Sequence, residues 1–280
     1  MLDKTVKIDG TLIHQEKRNS RLVLTQTPES NWESLLPKVK KMAYENKFGK
    51  IVGRVPEGAI KTFQLNGYRI EAKIPGLYNG HTTGYFLADY LNKDRMFLDK
   101  SQLKKSESIR AMAKAAQGSG ENISERLPSN LSIQELNTGD IVQIGKLHRK
   151  AFSPSSSPVY EPENLLQLFN QNHLFYGLFR QDELVVTALV KLDEDESNVE
   201  ILDFATHPSY CGENLSYYLV PEIKRSTSIL GYKTIYTLVR ASSYGFNITL
   251  SKLGFILAGT LLNNTVVGNT LENMNVWYLN

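Results

Sequence analysis

Glu200-Ile201-Leu202-Asp203-Phe204-Ala205-Thr206-His207-Pro208-Ser209-Tyr210-Cys211-Gly212-Glu213-Asn214-Leu215-Ser216 is the stretch whose reading decides the fold. It opens as an apolar run carrying two carboxylates, the pattern of a buried strand. Pro208 and Gly212 then punctuate a tight loop, and a helical period begins near Asn214. Where such a loop enters a helix, the first backbone amides have no intrahelical acceptor and the dipole is positive. A phosphate or pyrophosphate is stabilised at that place.

Outward from this segment, the second half of the chain alternates strands and helices. Downstream the pattern predicts a helix over residues 214–230, a strand over 234–240, a helix over 244–253, and strands over 255–262 and 274–279. Upstream it predicts a strand over 131–136, a helix over 140–152, and a loop at Pro154-Ser155-Ser156-Ser157-Pro158, where proline cannot continue the helix. A short helix over 162–170, a hairpin over 174–180 and 184–192, and a strand over 198–206 follow.

The first half has the same vocabulary. Residues 11–15 and 21–25 alternate as strands, and residues 32–47 place Leu35, Leu36, Val39, Met42 and Ala43 on one helical face. A strand over 50–55, a helix over 57–66 stopped by Gly67, and strands over 68–74 and 84–91 complete it. Residues 92–119 turn lysine-rich and end at Gly118-Ser119-Gly120. The expected organisation is an N-terminal domain over 1–100, a linker over 101–130 and a C-terminal domain over 131–280. The halves repeat at an offset of roughly 180 to 190 residues. Lys50-Ile51-Val52 matches Lys233-Thr234-Ile235, and Phe63-Gln64-Leu65-Asn66-Gly67-Tyr68 matches Leu250-Ser251-Lys252-Leu253-Gly254-Phe255.

Composition narrows the function. The 280 residues are 41% apolar with a net charge of +3, too small to imply a nucleic-acid partner. The single cysteine, Cys211, rules out an intrachain disulfide and any multi-cysteine metal site. Residues 1–10 lack the apolar run of a signal peptide, and no stretch of about 18 apolar residues spans a membrane. A cytoplasmic protein acting on a small molecule, without a metal, is the expectation; the oligomeric state is not legible.

The order of strand, Pro-x-Tyr-x-Gly loop, long helix, strand and a helix ending Leu-Gly-Phe resembles the acetyl-CoA loop region of the GCN5-related N-acetyltransferase (GNAT) fold over residues 131–280. A narrower resemblance spans nearly the whole chain. Ile74-Pro75-Gly76-Leu77-Tyr78-Asn79-Gly80, Gly84-Tyr85-Phe86, Gly259-Thr260-Leu261-Leu262-Asn263-Asn264 and Glu272-Asn273-Met274-Asn275-Val276-Trp277-Tyr278 resemble the β-lysine N6-acetyltransferase family. It implies an α/β fold with a mixed sheet in two tandem GNAT-like domains, the N-terminal one smaller and without a CoA loop, since Pro28-Glu29-Ser30-Asn31 stands in its place. It implies acetyl-CoA as co-substrate, β-lysine as acceptor and N6-acetyl-β-lysine, a compatible solute, as product. Cofactor contacts are implied from Phe204, Ala205, Thr206, Cys211, Gly212, Glu213, Asn214, Leu215, Ser216 and Asn247, and substrate contacts from Tyr78, Asn79, Asn263 and Asn264.

The loop departs from the fold's Arg/Gln-x-x-Gly-x-Gly/Ala pattern. Cys211, Asn214 and Ser216 stand at the patterned positions and only the intervening Gly212 is glycine. Asparagine tolerates left-handed angles, so Asn214 preserves a turn, whereas Ser216 adds bulk beside the backbone. Leu250 occupies the place where the fold often holds an acidic tyrosine, leaving Tyr244, Tyr210, Tyr217 or water as proton donor.

An amine must lose a proton before it attacks a thioester, so a carboxylate belongs near the middle of the site. Glu200 and Asp203 are the candidates. Three apart in a regular strand, they face opposite sides, and one at most meets the amine. His207 reads as an exposed loop residue, His148 as part of a solvated basic helix face, and Asn263-Asn264 as a turn. Two other readings stay open: a tRNA-dependent aminoacyl transferase, which needs a basic groove, and a non-catalytic binding module whose altered loop has lost CoA.

Overall fold

The computed structural model describes residues 4–26, 31–119, 127–152 and 160–280. The expected loop at Pro154 to Pro158, residues Pro28 to Ser30 and Gly120 lie outside the described residues. Two compact units form. One comprises Met1–Ser108, Arg240–Ser242 and Ala258–Val276, and the other Ile109–Val239, Ser243–Leu257 and Trp277–Asn280.

The first unit starts with a strand absent from the sequence reading, β1 (Lys4–Ile8), which pairs antiparallel with β2 (Thr11–Glu16). Then come β3 (Arg21–Gln26), α1 (Trp32–Glu45), β4 (Lys50–Pro56), α2 (Ile60–Leu65), β5 (Arg69–Tyr78) and β6 (Thr82–Tyr90). β3 and β4 run parallel across α1, and β4 and β5 each pair antiparallel with β6. The apolar stripe predicted on α1 is the one buried: Leu35, Leu36, Val39 and Ala43 pack against Ile13, Leu22, Ile51 and Phe63. At about 1.5 to 3 kcal/mol for each fully buried large aliphatic or aromatic side chain, this cluster is the main favourable term holding the unit.

Residues 258–276 group with this first unit although they are late in the chain. Gly259 pairs with Ala72, and a Cβ there would lie 2.1 Å from the Glu71 carbonyl oxygen, so only glycine permits the approach. The expected linker also differs: it begins in a helix, α3 (Lys100–Ala115), whose Ile109 and Ala113 are buried. Their i, i+4 spacing makes a short apolar stripe inside a lysine-rich sequence, which composition alone hides.

The second unit contains β7 (Leu131–Leu136), α4 (Ile141–Ala151), α5 (Pro162–Phe169), β8 (His173–Arg180), β9 (Glu183–Asp193), β10 (Asn198–Thr206), α6 (Ser216–Ile229), β11 (Thr234–Arg240) and α7 (Tyr244–Lys252). The chain ends in β12 (Ile256–Val267) and β13 (Thr270–Leu279). β7 to β10 form an antiparallel run, and β11 joins β10 in parallel. One face of these strands carries Val199, Ile201, Leu219, Ile223 and Leu250; the other carries Leu147, Leu165, Phe175, Leu189 and Ala205 under α4 and α5.

The mixed α/β class and the tandem repeat are both present. Strand order runs β1-β2-β3-β4-β6-β5 for the early strands and β7-β8-β9-β10-β11-β13-β12 for the late ones, so the last six of the second series repeat the order of the first behind one added edge strand, β7. α1 and α6 are both 14 residues long, and each holds a proline at its sixth position, Pro37 and Pro221. An interior proline removes a helix hydrogen bond, so its recurrence at the repeat offset supports duplication.

Candidate active site

The site is built where β10 and β11 part. They pair in register from Asn198 opposite Thr234 to Ile201 opposite Thr237, and there the pairing stops, although β10 continues to Thr206 and β11 to Arg240. The Thr237 hydroxyl donates to the Ile201 carbonyl oxygen at 2.8 Å and closes the paired part. Past that point the edge of β10 facing β11 carries backbone groups without a strand neighbour, a surface suited to an extended, amide-bearing chain.

At the same place β10 holds a bulge. Ile201 lies opposite Val190 and Asp203 opposite Leu189, so Leu202 is an extra residue. The bulge resets the alternation and corrects the expectation of opposite faces. Glu200 alternates with Val199 and Ile201, which belong to the α6 side, and therefore points to the α4 side. Asp203 lies two residues before Ala205, which is packed in the α4 cluster, and so points there too. Both carboxylates share one face.

Each is held by a tyrosine. Tyr236, opposite Glu200 on β11, donates its hydroxyl to Glu200 Oε2 at 2.7 Å. Tyr160 donates to Asp203 Oδ2. Burial pushes the Asp203 carboxyl above the usual range, opposed by the Tyr160 hydroxyl and the Phe204 amide. Burial and the neighbouring carboxylate push the Tyr160 phenol up as well. Tyr160 in turn stacks on His148, with ring centroids 3.5 Å apart. His148 is buried rather than solvated, a second correction: its Nε2 meets Thr187 Oγ1 at 2.9 Å, and burial lowers its pKa to about 3, so it is neutral. Tyr160 sits just ahead of α5 and had no signal in the sequence, since nothing in the spacing ties it to β10.

The loop from β10 to α6 has the features of an anion seat. Gly212 has φ +93° with open space where a Cβ would lie. Asn214 has φ 55°, the left-handed turn expected of it, and Ser216 is the first residue of α6. No side chain caps the helix start. Cys211, Gly212, Glu213 and Asn214 are exposed, whereas the Leu215 side chain is core, so only its backbone is available to a ligand. Glu213, an unfavourable charge beside phosphate, is paired with Arg180, and Tyr210 donates to Glu183 Oε2 at 3.1 Å. These contacts pin the loop to the β8–β9 hairpin. A cleft of about 560 Å³ beside it is lined by Lys146, Lys150, Arg180, Glu183, His207 and Tyr210. Phe204 and Thr206 are partly exposed along β10, and Ala205 is core.

The other expected residues have partners of their own within their units. Asn247 is fully buried, donating to the Ser243 carbonyl oxygen at 2.6 Å and accepting from Trp277 Nε1 at 2.9 Å, contacts that support α7. Asn263 and Asn264 lie in β12, not in a turn, and both are buried. The Asn263 amide donates to the Arg95 and Phe97 carbonyl oxygens at 3.0 and 3.1 Å, which gives it a structural task in the first unit. Tyr78, also in the first unit, lies under Arg54, and Asn79 turns the β5–β6 hairpin at φ 56°. Tyr244 opens α7 and is exposed, Tyr217 is core, and Leu250 is fully buried. Among the described residues no cluster of His, Cys, Asp and Glu could hold a metal, and no helix is long and apolar enough to cross a membrane.

No protein-family model matches the chain. The beta-lysine N(6)-acetyltransferase of Methanococcus maripaludis is 26% identical over 277 residues, covering 99% of this chain and 98% of that protein. The enzyme of the same name from Methanosarcina mazei is 25% identical over 263 residues, covering 88% and 96%. Among solved structures, the ribosomal-protein-S18-alanine N-acetyltransferase of Escherichia coli is 18% identical, covers 53% of this chain and 92% of its own, and has a TM-score of 0.47. Along almost its whole length, then, the chain is similar to the β-lysine N6-acetyltransferases.

Proposed function

We propose that the protein transfers acetyl from acetyl-CoA to the N6 amine of β-lysine, giving N6-acetyl-β-lysine, and that the second unit carries the reaction. The observation that carries this reading is the end-to-end similarity to two proteins of that activity, on a chain whose β10 and β11 part beside two carboxylates on one face. The unpaired edge of β10 suits the amides of the pantetheine arm. The exposed backbone at Gly212, with the left-handed turn at Asn214, suits the pyrophosphate.

In this reading Glu200 accepts the proton of the amine, directly or through water, before nitrogen attacks the thioester carbonyl carbon. The C–S bond breaks, the amide C–N bond forms, and CoA leaves as thiolate to be protonated. Tyr236 keeps the Glu200 carboxylate aimed along the face. Backbone amides at the strand edge would meet the developing oxyanion.

The test joins two measurements on the full chain: acetyl-CoA binding by calorimetry, and thiol release with a panel of diamino acids. Binding together with turnover highest on β-lysine is the expected result. No binding at millimolar acetyl-CoA overturns the enzymatic reading, and β-lysine binding without turnover points to a binding module.

A further inference from the structure

The bulge at Leu202 does more than supply a base. Because two residues of β9 span three of β10 here, Glu200 and Asp203 sit opposite Lys191 and Leu189, about 7 Å apart along the strand at 3.4 Å per residue. Among the described residues no lysine or arginine forms an ion pair with either one. Lys191, the closest lysine in register, is exposed and pairs with neither. His148, behind Tyr160, is buried and makes its bond to a neutral threonine. One face of β10 thus offers two tyrosine-held carboxylates that, among the described residues, make no ion pair, with Lys191 across the strand from Glu200 and no lysine or arginine in register with Asp203.

A ligand with two ammonium groups separated by four carbons answers this arrangement. Its nitrogens are five bonds apart, which at about 1.5 Å per bond in an extended zigzag spans about 6 Å. Each bound ammonium would satisfy a carboxylate that otherwise stays partly desolvated without a counter-charge. Tyr236 takes one oxygen of Glu200, and Asp203, which accepts from the Tyr160 hydroxyl and the Phe204 amide, keeps lone pairs on its two oxygens for a further donor.

On the basis of the acetyl-transfer reading above, we infer that Asp203, oriented by Tyr160, is a specificity residue that receives the second ammonium of a diamine acceptor while Glu200 serves the reacting amine. The acceptor class is a primary amine with a second ammonium four carbons away. A monoamine of the same length then loses a charge-assisted bond and leaves Asp203 uncompensated.

The experiment uses the full-length protein with β-lysine and with 6-aminohexanoate, which lacks the second amine, and reads the ratio of their kcat/KM values. In the wild type the ratio should exceed ten in favour of β-lysine. Asp203→Asn should lower that ratio at least tenfold, Tyr160→Phe should lower it by a smaller factor with the loss lying in KM, and Glu200→Gln should depress kcat on both substrates while keeping the ratio within threefold. A parallel titration of wild-type protein with 1,4-diaminobutane and 1-aminobutane needs no variant, and the diamine should bind at least tenfold tighter. Equal binding of these two amines, or an unchanged ratio in Asp203→Asn, overturns the inference and leaves acetyl transfer standing. Absence of transfer to any amine overturns both.

Discussion

His148 and Tyr160 lie face to face, ring centroids 3.5 Å apart and planes 20° from parallel, with Thr187 on the far nitrogen of the imidazole. The stack joins α4 to the carboxylate at Asp203, and burial keeps its imidazole neutral. Burial lowers the His148 pKa to about 3, against about 6.5 in the unfolded chain. Between those values the unfolded state binds a proton that the folded state refuses, so stability falls as pH drops through this window. Asp203 works in the other direction, since its raised pKa lets the folded state hold a proton longer than the unfolded one. His148→Phe keeps a stacking ring and removes the titration. It should flatten the acid limb of a urea-denaturation series from pH 7 to pH 4 by up to a few kcal/mol, and a limb identical to wild type would refute the neutral buried imidazole.

A second buried charge can be tested in the first unit. Lys50 is fully buried, with Nζ 2.9 Å from Glu71 Oε2 and 2.8 Å from the Leu262 carbonyl oxygen, and Glu71 also accepts from the Leu262 amide at 2.8 Å. Residues from both ends of the chain therefore meet at one ion pair within that unit. Removing one partner leaves a buried charge uncompensated, and Glu71→Gln should cost about 3 to 5 kcal/mol by denaturation. Lys50→Met with Glu71→Leu should recover much of that loss. Burial lowers the Lys50 pKa to about 8, below its unfolded value near 10.4. The unfolded chain then binds more protons over that window, so wild-type stability should gain with rising pH there, a gain the double variant lacks.

Most of the architecture was legible because it rests on local patterns. The alternation in β2 and β3, the apolar stripe of α1, and Gly67 and Gly254 after helices are short-range signals, and the matching halves reinforced them. What escaped has physical reasons. The Leu202 bulge leaves no mark in composition, yet one inserted residue reverses the face of everything after it, which is why a regular strand sets Glu200 and Asp203 on opposite faces and the bulged one does not. His148 sits in a basic run, Lys146 to Lys150, where four of five residues can carry charge, and only the tertiary contact with Thr187 shows that it points inward. Asn263 and Asn264 read as a turn because asparagine tolerates left-handed angles; Asn263 does adopt one, φ 43°, but within β12, where its amide is held by the Arg95 and Phe97 carbonyl groups.

The loop prediction rests on backbone conformation. Gly212 at φ +93° tolerates no L side chain without strain, and a Cβ there would occupy the open space proposed for phosphate. Gly212→Ala should weaken acetyl-CoA at least tenfold by calorimetry and cost about 1 to 2 kcal/mol of stability. Asn214→Gly, at φ 55°, should keep affinity within twofold because glycine adopts that angle freely. Unchanged acetyl-CoA affinity in Gly212→Ala would place the phosphates elsewhere.

The last prediction separates the two carboxylates by pH. The Tyr160 hydroxyl is among the groups that lower the Asp203 pKa against the rise caused by burial. Tyr160→Phe removes that donor and keeps the ring on His148, so the Asp203 pKa should climb further. If ionised Asp203 receives the second ammonium, the acid limb of kcat/KM for β-lysine must move to higher pH in this variant. The limb for 6-aminohexanoate, which makes no demand on Asp203, should stay where it is in the wild type. Stability should drop by about 1 to 3 kcal/mol from the lost bond to a desolvated carboxylate. That loss should deepen as pH rises through the raised pKa of wild-type Asp203, because from there up to the variant's higher value only the variant's folded state still holds the proton. Equal shifts on both substrates would assign the limb to a group they share, Glu200 foremost, and an unmoved limb on β-lysine would remove Asp203 from acceptor recognition.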